Sequence, residues 1–241
     1  MQKLSSSLLA LLLLTGLSAQ AQSYENIDAE TFYKLLQEQP GTLLDVRTTR
    51  EFRNGHLPES GQLNYYARDF RSKLELLPTD SPIYLYCNTG YRSERAAQML
   101  AQAGYTQVYN MQYGIMEWNY RRLPIVVDPN AEPDREHVVS IEDYEQITQS
   151  EPLVFVDFYA PWCAPCREMV PMFDSLLSTY HAHVHLLKVN ADASKKLVVN
   201  RKLMSVPYLI LYKNGKEVFT HNGKISRNEL EQLFISHIES K

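Results

Sequence analysis

Between residues 28 and 39 the apolar side chains Phe32, Leu35 and Leu36 recur at helical spacing, and Pro40-Gly41 ends the run, so a helix is expected there. Thr42-Leu43-Leu44-Asp45-Val46 then reads as a buried strand, and Pro82-Ile83-Tyr84-Leu85-Tyr86 as a second one that delivers Cys87 at its tip. Residues 94–103 are good helix formers and stop at Gly104. Another helix opens at Ser140-Ile141-Glu142-Asp143, a serine followed three residues on by an acid. The apolar strand Phe155-Val156-Asp157-Phe158-Tyr159 leads through Ala160-Pro161-Trp162 to Cys163 and Cys166, and a helix follows to Tyr180. Lys213-Asn214-Gly215-Lys216 has the composition of a hairpin turn, and residues 225–238 form a closing helix. Between these halves, residues 123–134 hold three prolines and little periodicity, which marks a boundary.

A chain of 241 residues with 9 glycines is long enough for two ordinary domains. The net charge of −4 includes no basic run, so neither nucleic acid nor an anionic membrane surface is indicated as a partner. Met1-Gln2-Lys3, the leucine-rich stretch from Leu8 to Leu14 and Ala19-Gln20-Ala21 have the layout of a secretory signal cleaved after Ala21. The apolar core is short for a membrane span, which disfavours an uncleaved anchor. A periplasmic or secreted protein is therefore expected, divided as signal 1–21, first domain 22–126, linker 127–136 and second domain 137–241.

Three cysteines in such a compartment are informative, because two form the C-x-x-C of Cys163 and Cys166 and Cys87 is left over. At the start of a helix, unpaired backbone N–H groups and the helix dipole favour a thiolate at Cys163, while Cys166, one turn on, can resolve a mixed disulfide. The competing reading, half of a zinc site, needs two further ligands. His181, His183 and His185 would share a face only if their segment were fully extended, and no metal or other cofactor is assigned. Around Cys87 the order strand, Cys87-Asn88-Thr89-Gly90-Tyr91-Arg92-Ser93, helix makes an anion trap, with backbone N–H groups pointing inward.

Residues 136–240 closely resemble the thioredoxin family. The resemblance rests on the strand into Trp162-Cys163-Ala164-Pro165-Cys166 and on Asp157, Lys188, Pro171, Val206-Pro207 and Gly223. It implies a mixed-sheet α/β domain in which Asp157 moves protons for Cys166, Lys188 is its basic neighbour, Val206-Pro207 is a cis-proline turn facing the cysteines, and Trp162 lies in the substrate groove. Ala164, Tyr159 and Tyr208 depart from the usual residues. The first domain resembles a single-domain rhodanese, a sulfurtransferase with a parallel-sheet α/β fold, through Asp45-Val46-Arg47, Glu51-Phe52, Gly55-His56-Leu57-Pro58, Cys87 to Ser93, and Tyr113-Gly114-Ile115-Met116-Glu117-Trp118. Four residues separate Cys87 from Arg92, where related phosphatases and arsenate reductases place five. Tyr113 replaces a usual glycine.

The second resemblance implies that Cys87 accepts sulfane sulfur as a persulfide. Asn88, Thr89, Gly90, Tyr91 and Ser93 would line its site, Arg92 would hold an anionic donor such as thiosulfate, and Asp45 and Arg47 would support the loop. The combined expectation is an exported sulfurtransferase coupled to a thiol-disulfide oxidoreductase: Cys163 attacks the persulfide on Cys87 and Cys166 closes the disulfide. The alternative is a protein-disulfide reductase with the first domain as a binding module. Expected partners are a small sulfane-sulfur donor, thiol or disulfide proteins, and a membrane electron donor that restores the dithiol.

Overall fold

The computed structural model describes residues 24–132 and 134–239. The expected signal segment lies outside the described residues. In chain order the first half contains β1 (Tyr24–Ile27), α1 (Ala29–Glu38), β2 (Thr42–Asp45), α2 (Thr49–Arg53), β3 (Gly61–Gln62), α3 (Phe70–Leu74), β4 (Ile83–Tyr86), α4 (Tyr91–Gln102), β5 (Val108–Met111) and α5 (Gly114–Tyr120). Its sheet is wholly parallel, in the order β1-β5-β4-β2-β3. The second half contains α6 (Ile141–Ser150), β6 (Leu153–Tyr159), α7 (Ala164–Tyr180), β7 (His185–Asn190), α8 (Lys195–Asn200), β8 (Tyr208–Lys213), β9 (Lys216–Asn222) and α9 (Arg227–Glu239). Here β7-β6-β8-β9 is mixed, with β7 parallel to β6 and the other neighbours antiparallel.

Local chemistry explains the ends of the elements. Asp28 caps α1 by accepting the Thr31 N–H, and Ser140 caps α6 by accepting that of Asp143. The short α2 starts with a reciprocal capping box between Thr48 and Glu51. Asn214 and Gly215, both at positive φ, turn β8 into β9. A sheet buried on both faces needs continuous apolar strands, and β4 and most of β6 are buried throughout. In the parallel sheet, Phe32 packs edge-on against Tyr84 and Trp118 on one face, while Phe70, Leu74 and Leu100 fill the other. In the mixed sheet, Phe155 meets Phe173 and Phe234 edge-on, and the opposite face gathers Val156, Phe158 and Cys163.

The connector is not a free spacer. Val126 and His56 exchange both backbone hydrogen bonds at 2.8 and 2.9 Å, Asp128 donates its N–H to the Arg53 carbonyl, Asn54 donates to the Glu132 carbonyl, and Arg50 pairs with Asp134. This lays the connector along α2. The second half is anchored to the same place: the Lys195 ammonium donates to the Asn54 carbonyl at 2.5 Å, and Met116 of α5 joins the apolar cluster that holds Cys163, Leu197 and Val198.

Phe155 is fully buried between two aromatic rings. Phe155→Ala is expected to lower unfolding free energy by about 3–5 kcal/mol in denaturant titration, whereas Val218→Ala at the exposed β9 surface should change it by less than about 0.5 kcal/mol.

Candidate functional site

Cys87 leaves the tip of β4 and is 1% exposed. Beyond it the chain must turn sharply into α4, and Gly90 makes this possible with φ of 84°. A Cβ at Gly90 would stand 1.9 Å from the Gln112 carbonyl oxygen, and one at Gly114 would stand 2.3 Å from that of Cys87. Loop and α5 are therefore in backbone contact, fastened by the Ile115 and Met116 N–H groups donating to the Cys87 and Asn88 carbonyls. The positive φ falls at Gly114, so Tyr113 needs no glycine-like backbone; its φ is −109°. Among the described residues the backbone N–H groups of Thr89, Gly90, Tyr91, Arg92 and Ser93 have no protein acceptor, leaving a run of donors beside the sulfur.

The polar side chains of this loop are braced. Asp45, wholly buried, holds Arg47 in a two-oxygen ion pair, and Arg47 donates to the Asn88 side-chain oxygen at 3.1 Å and the Gly55 carbonyl at 2.6 Å. The Asn88 amide donates to Glu51 at 2.6 Å, and Ser93 donates to the Gly90 carbonyl. Thr89 is half-buried; Tyr91 points away, 62% exposed, with its ring under Arg95. Arg92 has a different occupation from the one expected. Its two terminal nitrogens donate to the Glu51 carboxylate at 2.7 and 3.2 Å, because a guanidinium this buried requires a matched anion. The pair engages two of the guanidinium's five N–H donors. Its flat face lies 5.5 Å from the Trp162 ring and 5.7 Å from that of Tyr66.

Trp162 belongs to the second sulfur site. Cys163 is the N-cap of α7, its sulfur accepts the Cys166 N–H at 3.2 Å, and the two cysteines are joined as a disulfide. Cys163 and Cys166 are 2% and 4% exposed, packed in one cluster with Val206, and the Val206-Pro207 bond is cis. Asp157 lies within the same strand, 4% exposed, with one carboxylate oxygen lacking any hydrogen-bond partner and Lys188 opposite it on β7. Burial pushes its pKa up to about 7, only partly opposed by the charge of Lys188. The Trp162 indole N–H donates to Asp192 at 2.8 Å. Burial, with the charges of Glu51 and Asp134 adding to it, raises Asp192 to about 6.

Both sulfur loops border a single cavity of about 260 Å³ between the halves, reached from one side by Asn88 and from the other by Pro161 and Trp162. Glu51, Asp192 and Lys195 join its wall, and none was singled out for this role from the sequence. Only Glu51 had a local signal, the Thr48-x-x-Glu51 capping pattern. His181 and His183 fall in the turn before β7, so the three histidines never form an extended row; among the described residues no cluster of metal-ligating side chains occurs.

Residues 28–121 match the family model described as a rhodanese-like domain, and residues 136–236 match thioredoxin. The chain is 31% identical over 94 residues to thioredoxin 1 of a Nostoc species, covering 39% of this chain and 88% of that protein. It is 37% identical over 100 residues to the thioredoxin of Chlamydia trachomatis, covering 42% and 96%. A solved thioredoxin from Plasmodium falciparum aligns with a TM-score of 0.38 at 31% identity, covering 41% of this chain and 95% of that one.

Gly90→Ala is expected to cost about 2 kcal/mol or more in unfolding free energy, since backbone must move. The control Gly104→Ala, also at positive φ but with nothing within 4 Å of the added carbon, should cost only about 1 kcal/mol. For Asp157 the sign follows from a folded pKa raised above the unfolded 3.8: stability is lost as pH rises between the two values. Asp157→Asn should therefore stabilise the oxidised protein by up to about 4 kcal/mol near pH 8, with the gain vanishing by about pH 4, in denaturant titrations across that range.

Proposed function

The chain belongs to the thioredoxin family through its second half and carries a rhodanese-like domain ahead of it, and from that premise we propose that it relays sulfane sulfur from Cys87 to the Cys163/Cys166 dithiol. The observation that carries this reading is the shared cavity, where the loop of one cysteine faces the tryptophan of the other. A sulfurtransferase-type domain and a thiol redox domain on one chain supply the two chemistries; their sequence is the proposal.

The Cys87 thiolate attacks the outer sulfur of a donor such as thiosulfate, breaking its S–S bond, and sulfite leaves with the electron pair. Cys87 then carries a persulfide anion, stabilised by the free N–H groups of the loop. In the reduced protein the Cys163 thiolate takes the outer sulfur and the Cys87 thiolate leaves. The Cys166 thiolate attacks Cys163, closing the disulfide and expelling sulfide. Sulfane sulfur is the oxidant and the dithiol the reductant, so electrons balance. Asp157, with a pKa near 7, accepts the Cys166 proton on the way to the thiolate. Two electrons from outside must restore the dithiol, a task for a membrane electron donor if the protein is exported, as its first 21 residues suggest.

Exposures of 1% at Cys87 and 2% at Cys163 favour exchange across the seam over attack on a large folded partner. Protein-disulfide reduction by the same dithiol would require the halves to separate first. Reduced protein supplied with thiosulfate should release sulfide, and Cys87→Ser should abolish that release while sparing reduction of a small aromatic disulfide. Cys166→Ser should trap one extra sulfur on Cys163, visible by mass spectrometry. Full sulfide output from Cys87→Ser would sink the relay.

A further inference from the structure

The cavity between the halves carries a balanced set of charges, and the pairing among them is incomplete. Arg47 is committed to Asp45, Arg50 to Asp134, and Glu51 to Arg92. Two charged groups remain on the wall. Lys195 is an exposed residue whose ammonium is held against the Asn54 carbonyl, which engages one of three donors. Asp192 is half-buried, and its carboxylate accepts the Trp162 N–H through one oxygen only. The two stand three residues apart in the chain and line the same cavity, but among the described residues they form no ion pair within 4.0 Å.

We infer that this cavity binds the zwitterionic head of an α-amino-acid thiol, with its carboxylate on Lys195 and its ammonium on Asp192. A ligand carrying both charges on one carbon matches an unpaired cation and anion that stand near each other without touching. A dianion would gain from Lys195 and be opposed by Asp192, and a simple amine would meet the reverse. The amino acid's side chain would then lie along a wall formed by Asn88, next to Cys87, and Trp162, next to Cys163.

This assignment rests on the relay reading for the meaning of the sulfur: the bound thiol is the carrier that loads Cys87. In its persulfide form the outer sulfur is attacked by the Cys87 thiolate, the ligand's S–S bond breaks, the Cys87–sulfur bond forms, and the carrier departs as a thiolate. Sulfane sulfur passes between thiolates without net oxidation, so no further reagent is needed.

The test uses the full oxidised chain and S-methylcysteine, a thioether that can neither donate sulfur nor open the disulfide, so binding is read without chemistry. Calorimetric titration should show one site. The analogues 3-(methylthio)propanoate and 2-(methylthio)ethylamine, each lacking one charge, should bind about tenfold more weakly or worse, as should S-methylcysteine to Lys195→Met and Asp192→Asn. No binding of S-methylcysteine, or equal binding of the single-charge analogues to the unaltered protein, overturns the inference; that comparison needs no variant to fold. Thiosulfate-dependent sulfide release, measured separately, reports on the relay, so either can fail while the other stands.

Discussion

A buried guanidinium must be neutralised, and the way Arg92 meets that demand organises the seam of this molecule. Glu51 accepts from both of its terminal nitrogens, and Glu51 is itself fixed by its capping box with Thr48 and by the Asn88 amide. Burial works against this carboxylate, but the hydrogen bonds and charge of Arg92 outweigh it and hold Glu51 below the usual range. Such a pair adds little net stability over an apolar substitute; removing one partner, however, strands a charge at a cost of about 3–5 kcal/mol. Its value here is positional. With its terminal edge committed to Glu51, the guanidinium is held over the Trp162 ring of the second half, its central carbon 5.5 Å from the ring centroid.

The two sulfur sites are supported differently. Beside Cys87 the support is backbone: glycines at positive φ allow the loop to sit on α5, and successive N–H groups are left without protein acceptors. Around Cys163 and Cys166 it is a helix start together with Asp157, a carboxyl that burial keeps protonated up to about pH 7. The first arrangement suits holding an anion, and the second suits moving a proton. The connector lies along α2 with Val126, Asp128, Glu132 and Asp134 all engaged, and the loops of both sites line one cavity. A tether already ordered leaves less entropy to lose when the halves meet.

Much of the architecture was legible because its signals are short-ranged. Apolar spacing located the first helix, the serine cap located α6, the asparagine-glycine turn joined β8 to β9, and two motif sets led to a parallel-sheet domain followed by a mixed-sheet one. The brief elements α3 and β3 carried too few residues for a period to emerge. The three histidines form no row, because alternation aligns side chains only where the backbone is extended, and residues 181–183 turn instead.

The sequence by itself determined where the sulfurs lie, which helices begin beside them and which glycines their loops require, because each depends on neighbours a few residues away. Tertiary structure alone decided that Arg92 would be spent on Glu51, 41 residues distant, that Trp162 would stack on it from the other half, and that Lys195 and Asp192 would share a cavity with both loops. Charge pairing and ring stacking act through space, and many partners along a chain are chemically equivalent until folding brings one within reach.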